Sequence, residues 1–134
     1  MKIAVRYYTK TGNTKKLADE IARTVGVEAK TVDEKLSGDV DILFLGSSVY
    51  AAGVDEQVKK FIEDMDGSVG KIVNFSTAAI LKSTYSQIKK IAGKMGIEVS
   101  DREYHCKGSF GFMHRGKPNA QDLKEASKFA KSFL

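Results

Sequence analysis

One cysteine, one proline and no tryptophan occur in this chain of 134 residues. The lone thiol, Cys106, closes no internal disulfide, which fits a reducing compartment. With Pro118 the single proline, no proline-rich linker divides the chain, and no internal repeat or low-complexity tract does so either. Residues 1–134 therefore read as one domain. No apolar run reaches the roughly 20 residues of a membrane span. The opening Met1–Tyr8 is too short, and is interrupted by Arg6, to act as a secretory leader. The expectation is a cytoplasmic protein without stable membrane insertion. Also absent are Gly-x-Gly-x-x-Gly and Gly-x-x-x-x-Gly-Lys-Ser/Thr, the loops of dinucleotide and nucleoside-triphosphate sites. His105, Cys106 and His114 match no zinc spacing and lack a fourth ligand, so no metal site is expected. No activating base can be assigned to Cys106, and no catalytic side chain is nominated.

What remains is an ordinary soluble composition, 42% apolar and 29% charged, with an uneven charge distribution. Residues 1–81 hold 11 Lys or Arg against 12 Asp or Glu, whereas residues 82–134 hold 11 against 5. The basic half is either a solvated face or a surface that steers an acidic partner into contact. Neither zinc-finger spacing nor an aromatic-studded basic ribbon accompanies it, so no nucleic-acid site is expected.

Short apolar runs alternate with helical periodicity. Lys2–Tyr8, Val27–Val32, Asp41–Gly46 and Lys71–Ser76 read as strands. The continuous Ile42-Leu43-Phe44-Leu45 implies burial on both faces, and hence a parallel sheet. Helices are expected over Thr14–Val25, stopped by Gly26, and over Val54–Met65, Thr84–Met95 and Asn119–Leu134. In the last, Asn119 serves as N-cap with Asp122 three residues on. A fifth strand falls within Ile97–Cys106, either whole or as two pieces. Only Asp33–Val40 joins the second and third strands, too few residues for a full crossover helix, so one turn or none is expected there. The alternation gives an α/β three-layer sandwich.

Chemistry is concentrated in loops at the carboxyl ends of the strands, where open α/β sheets bind ligands. Thr9-Lys10-Thr11-Gly12-Asn13-Thr14 joins the first strand to the first helix. A helix start offers unpaired N–H groups and the positive end of the dipole, which together hold a phosphate. The hydroxyls and the Asn13 amide add short donors, and Gly12 lets the backbone turn tightly. With little positive charge, the loop suits a phosphate monoester held by hydrogen bonds. A second loop, Gly46-Ser47-Ser48-Val49-Tyr50-Ala51-Ala52-Gly53, follows the third strand, and a third, Ser76-Thr77-Ala78-Ala79-Ile80, follows the fourth. Tyr50 supplies a flat ring able to stack on an aromatic ligand, whereas Tyr85 fits the core stripe of its helix.

Thr-x-Thr-Gly-Asn-Thr after a first strand resembles the phosphate loop of the flavodoxins, and Gly-Ser-x-x-Tyr resembles their ring-lining segment. Length and segment order are also similar to the short flavodoxins. The resemblance implies a five-stranded parallel sheet of order 2-1-3-4-5, bound FMN at its carboxyl edge, and electron transfer between redox partners. It implies phosphate binding by Thr9–Thr14 and ring contacts from Ser48, Val49, Tyr50, Ala51, Ser76, Thr77, Ala78 and Ala79. Two departures stand out. Ala51 and Ala52 occupy the stretch that often holds a glycine, and no aromatic residue lies in the third loop. The second loop is also similar to that of flavodoxin-like protoporphyrinogen oxidases, so an FMN-dependent oxidoreductase acting on a quinone or porphyrinogen is the alternative. A flavin-free interaction module of the same shape is a third reading. Phe110, Phe112 and Met113, in the glycine-rich 107–117 loop, either cap the flavin or a partner or tuck back onto the core.

Overall fold

Alternating apolar strands and amphipathic helices assemble as the sequence anticipates. A computed structural model describes residues 1–49, 54–65, 68–78, 83–108 and 116–134. The strands are β1 (Ile3–Tyr7), β2 (Ala29–Thr31), β3 (Val40–Val49), β4 (Val69–Ala78) and β5 (Tyr104–Lys107). The helices are α1 (Asn13–Val25), α2 (Glu56–Glu63), α3 (Tyr85–Lys94) and α4 (Ala120–Lys131). All the strand pairs are parallel, in the order β2-β1-β3-β4-β5. Strand side chains alternate between the sheet's two faces, and each face carries its own core. Val5, Phe44, Val73 and Phe75 pack with Leu17, Ile21, Ala126 and Ala130 of α1 and α4. Leu43, Leu45 and Ile72 pack with Val58, Ile62, Ile88 and Ala92 of α2 and α3.

Helix ends follow local chemistry. α1 ends at Gly26, whose φ of 81° and N–H bond to the Ala22 carbonyl form a left-handed cap. α4 begins with a reciprocal capping box between Asn119 and Asp122.

The structure departs from the sequence reading in informative places. β3 and β4 run three and two residues beyond the expected Gly46 and Ser76, through Val49 and Ala78. The extension pairs Ser47 with Ser76, Ser48 with Thr77 and Val49 with Ala78. Serines have weak strand preference, but pairing and buried hydrogen bonds override it here. β2 is shorter than Val27–Val32, because the Val27 N–H is still bonded to Ala22 in the cap of α1. The fifth strand is in two pieces. Val99 bridges Ile72, the polar Asp101–Glu103 stretch leaves the ladder, and Tyr104 rejoins it opposite Phe75.

No helix joins β2 to β3. Arg6 lies on the β1 face beneath that connection, only 6% exposed. Its Nε donates to the Glu34 carbonyl at 2.8 Å, Nη2 to Lys35 at 3.1 Å and Nη1 to Val5 at 3.1 Å. Desolvation pulls its pKa below the usual value.

Candidate functional site

Because every strand points the same way, the carboxyl ends of β1, β3 and β4 share one edge. The register is close there: Tyr7 lies opposite Gly46, and the Tyr8 N–H bonds to the Gly46 carbonyl at 3.1 Å. The three sequence-nominated loops thus start side by side.

The first loop turns into α1 through a glycine. Gly12 is the N-cap of α1 with φ 91°, a left-handed conformation that a Cβ would strain. Having no side chain, it caps none of the first-turn N–H groups, and no acidic residue stands in that turn. The loop's own stitch is Thr9, whose Oγ1 accepts from the Gly12 N–H at 2.9 Å. Lys10 and Thr11 are exposed, whereas Asn13 and Thr14 are buried. Lys10 Nζ lies 3.9 Å from Asp55, the N-cap of α2, so the loop also approaches the end of the segment that follows β3.

The hydroxyls divide between the sheet's two faces. On the α1 face, Thr14 Oγ1 lies 3.2 Å from Ser48 Oγ, to which it donates, and 3.0 Å from Thr77 Oγ1. Thr14 therefore ties the start of α1 to both β3 and β4. On the α3 face, Ser47 Oγ donates to Thr84 Oγ1 at 2.9 Å, and the Asn74 amide shares that hydroxyl at 3.1 Å. The Thr84 N–H donates to Ser76 Oγ at 3.4 Å. This second cluster anchors the start of α3 on β3 and β4, just after the third loop. The buried side chains of Ser48, Ser76 and Thr77 are thus engaged within the protein. What these strand ends have left to offer a ligand is chiefly backbone.

Gly46 and Gly108 are present for space. A Cβ on Gly46 would lie 2.3 Å from the Phe75 ring and 3.0 Å from Thr14 Cγ2. A Cβ on Gly108 would lie 2.8 Å from Asn13 Nδ2 and 3.2 Å from Thr77 Cβ. The chain leaving β5 therefore passes directly against Asn13 of the first loop, held by the Gly108 N–H bond to the Ala78 carbonyl at 3.2 Å.

Of the nominated residues, Thr9, Lys10, Thr11, Gly12, Asn13, Thr14, Ser48, Ser76, Thr77 and Ala78 gather at this edge, and Val49 ends β3 there. Tyr50, Ala51 and Ala79 lie outside the described residues, as do Phe110, Phe112, Met113 and His114. Sequence reading passed over the Ser47–Asn74–Thr84 cluster, Asp55 and Gly108. A glycine directly after a strand end was the one signal available, for Gly108. Tyr85 packs against the α2/α3 core, as its helical position indicated. His105 Nδ1 lies 2.6 Å from Glu103. Burial, reinforced by the nearby Asp122 carboxylate, pushes the Cys106 thiol up to about 12, which removes its nucleophilic form at neutral pH.

The donor set fits FMN: a glycine-turned, acid-free helix start for a dianionic phosphate, beside the paired ends of β3 and β4 for a flat ring. Comparison with known proteins agrees. The flavodoxin domain family model matches residues 4–117. An uncharacterised protein of Methanocaldococcus jannaschii is 31% identical, over 91% of this chain and 90% of its own. A flavodoxin of Clostridium saccharobutylicum is 30% identical, over 74% of this chain and 63% of its own. Among solved structures, a flavodoxin from the domain Archaea superposes with a TM-score of 0.78 at 19% identity, over 98% of this chain and 95% of that one. The chain belongs to the flavodoxin family, whose cofactor is FMN.

Proposed function

We propose that this protein is an FMN-loaded electron carrier that shuttles electrons between protein redox partners in the cytoplasm, working as a single domain over residues 1–134. The observation that carries the reading is the glycine-turned, acid-free start of α1 beside the paired ends of β3 and β4. In this reading Thr9–Thr14 hold the phosphate, and Ser48–Ala51 and Ser76–Ala79 border the ring. Bound flavin supplies one- and two-electron redox chemistry, and the protein's part is to hold it, exclude water and tune its charge environment. No side chain is required as acid, base or nucleophile. The basic half of the chain, 11 Lys or Arg against 5 Asp or Glu after residue 81, favours acidic partners.

The test is a comparison of FMN and riboflavin binding by fluorescence quenching in the Thr11→Ala/Asn13→Ala double variant. Loss of two contacts to a charged phosphate should weaken FMN about a hundredfold, while riboflavin changes little. Equal loss of both ligands would place the phosphate elsewhere. Turnover of a quinone or a porphyrinogen by the purified protein, with no protein partner present, would overturn the carrier role.

A further inference from the structure

Between α2 and α3, on the face of the sheet away from α1 and α4, runs an open groove of about 300 Å³. It is lined by Val54, Lys59, Gln87, Lys90, Ile91 and Lys94. The three lysines are exposed and have no ion-pair partner among the described residues. Helix α3 carries Lys89, Lys90 and Lys94 and no acidic residue. The carboxylates of α2, Glu56 and Glu63, do not line the groove. Lys90 and Lys94 stand one turn apart, about 6 Å along the axis, with Lys59 facing them across the groove. Between them the half-buried Val54 and Ile91 make an apolar strip.

We propose that this groove is where an acidic segment of a protein redox partner docks. The proposal rests on the electron-carrier reading and names the face that carrier presents. Charge complementarity selects the occupant. Three ammonium groups with no ion-pair partner among the described residues call for carboxylates, and the apolar strip calls for a hydrophobic side chain between them. A free inorganic anion would gain nothing from the strip, whereas an acidic peptide satisfies both features.

Position gives the groove its use. Val54 follows directly on the segment 50–53, and its N–H donates to Gln87 Oε1 at 3.1 Å, fastening the groove's head to the ring-side loop. A partner held here reaches the residue that follows segment 50–53, part of which borders the ring in the carrier reading. The other basic helix, α4, with Lys124, Lys128 and Lys131, packs on the opposite face of the sheet. It therefore serves as a charge-matched control.

The experiment uses FMN-loaded protein, reduced anaerobically and mixed by stopped flow with cytochrome b5, an acidic acceptor, or cytochrome c, a basic one. The second-order rate constant is followed against ionic strength. The triple variant K59E/K90E/K94E should slow reaction with cytochrome b5 about tenfold or more at low salt and flatten its salt dependence. K124E/K128E/K131E should change that rate by less than about twofold. The rate with cytochrome c should hold or rise in the groove variant, which excludes a lost driving force at the flavin. Equal slowing by both triples, or by neither, overturns the docking face while leaving the carrier reading intact. A chain that takes up no flavin overturns both.

Discussion

Gly108 is the most direct handle on the link between the β5 exit and the Thr9–Thr14 loop proposed to hold the phosphate. Replacing it with alanine puts a methyl 2.8 Å from Asn13 Nδ2, 3.2 Å from Thr77 Cβ and 3.3 Å from Asn13 Cβ, against ordinary contacts of 3.4–4 Å. Thr77 is fully enclosed and tied to Thr14, so it cannot retreat. The Asn13 amide, the end of a side chain, is the group that must shift, and in the proposed reading it serves the phosphate. The fold should therefore lose only about 1–2 kcal/mol, the usual cost of modest overpacking. The cofactor should lose a hydrogen bond to a charged group, about 1.5–3 kcal/mol, which is roughly a tenfold to hundredfold rise in the FMN dissociation constant. Riboflavin, lacking the phosphate, should stay within about threefold. Gly93→Ala is the matched control. That glycine is exposed within α3 with nothing within 4 Å of its added Cβ, so alanine should stabilise the apoprotein by up to about 1 kcal/mol and leave FMN affinity unchanged. Fluorescence titration and urea unfolding of the two variants give all five quantities. If Gly108→Ala bound FMN as tightly as the parent, or lost riboflavin in equal measure, the assignment of Asn13 to the phosphate would fail.

Two further outcomes follow from the same packing. Cys106 should resist alkylation in the folded protein. With its pKa near 12 against an ordinary 9.0, the thiolate fraction at pH 8 falls about a thousandfold, so thiol-reagent kinetics should show reaction only on unfolding. The unfolded chain releases that proton near pH 9 and the folded chain does not, so stability should decline as pH rises from about 9 towards 12. Cys106→Ser should make the decline shallower in urea melts. Gly46→Ala should cost more than about 3 kcal/mol or prevent folding, because its methyl meets the buried Phe75 ring at 2.3 Å. Gly46→Ala combined with Phe75→Leu should recover part of that loss; a single variant as stable as the parent would show the spacing to be slack.

The periodicities that placed the strands and helices were legible because both cores are built from regular apolar positions, such as Leu17, Ile21 and Val25 on α1. The glycine-turned start of α1 was legible because its chemistry is local: a glycine and short donors in six consecutive residues. What the sequence hid depends on partners far along the chain. Ser48 and Thr77 look like loop residues until the strands pair and Thr14, 34 and 63 residues away from them, satisfies their hydroxyls. Thr84 reads as an ordinary helix start, yet it is fully buried under Ser47 and Asn74. Gly108 reveals its purpose only when Asn13 is seen beside it.

Arg6 carries a consequence for how compact this architecture can become. Where a crossover would ordinarily supply a whole amphipathic element to roof β1, a single guanidinium reaches up and gathers the carbonyls of Glu34 and Lys35. The roof is consequently thin and polar, and it sits at the opposite flank of the sheet from β5. One buried side chain thus stands in for a helix, and the chain economises on length at that flank.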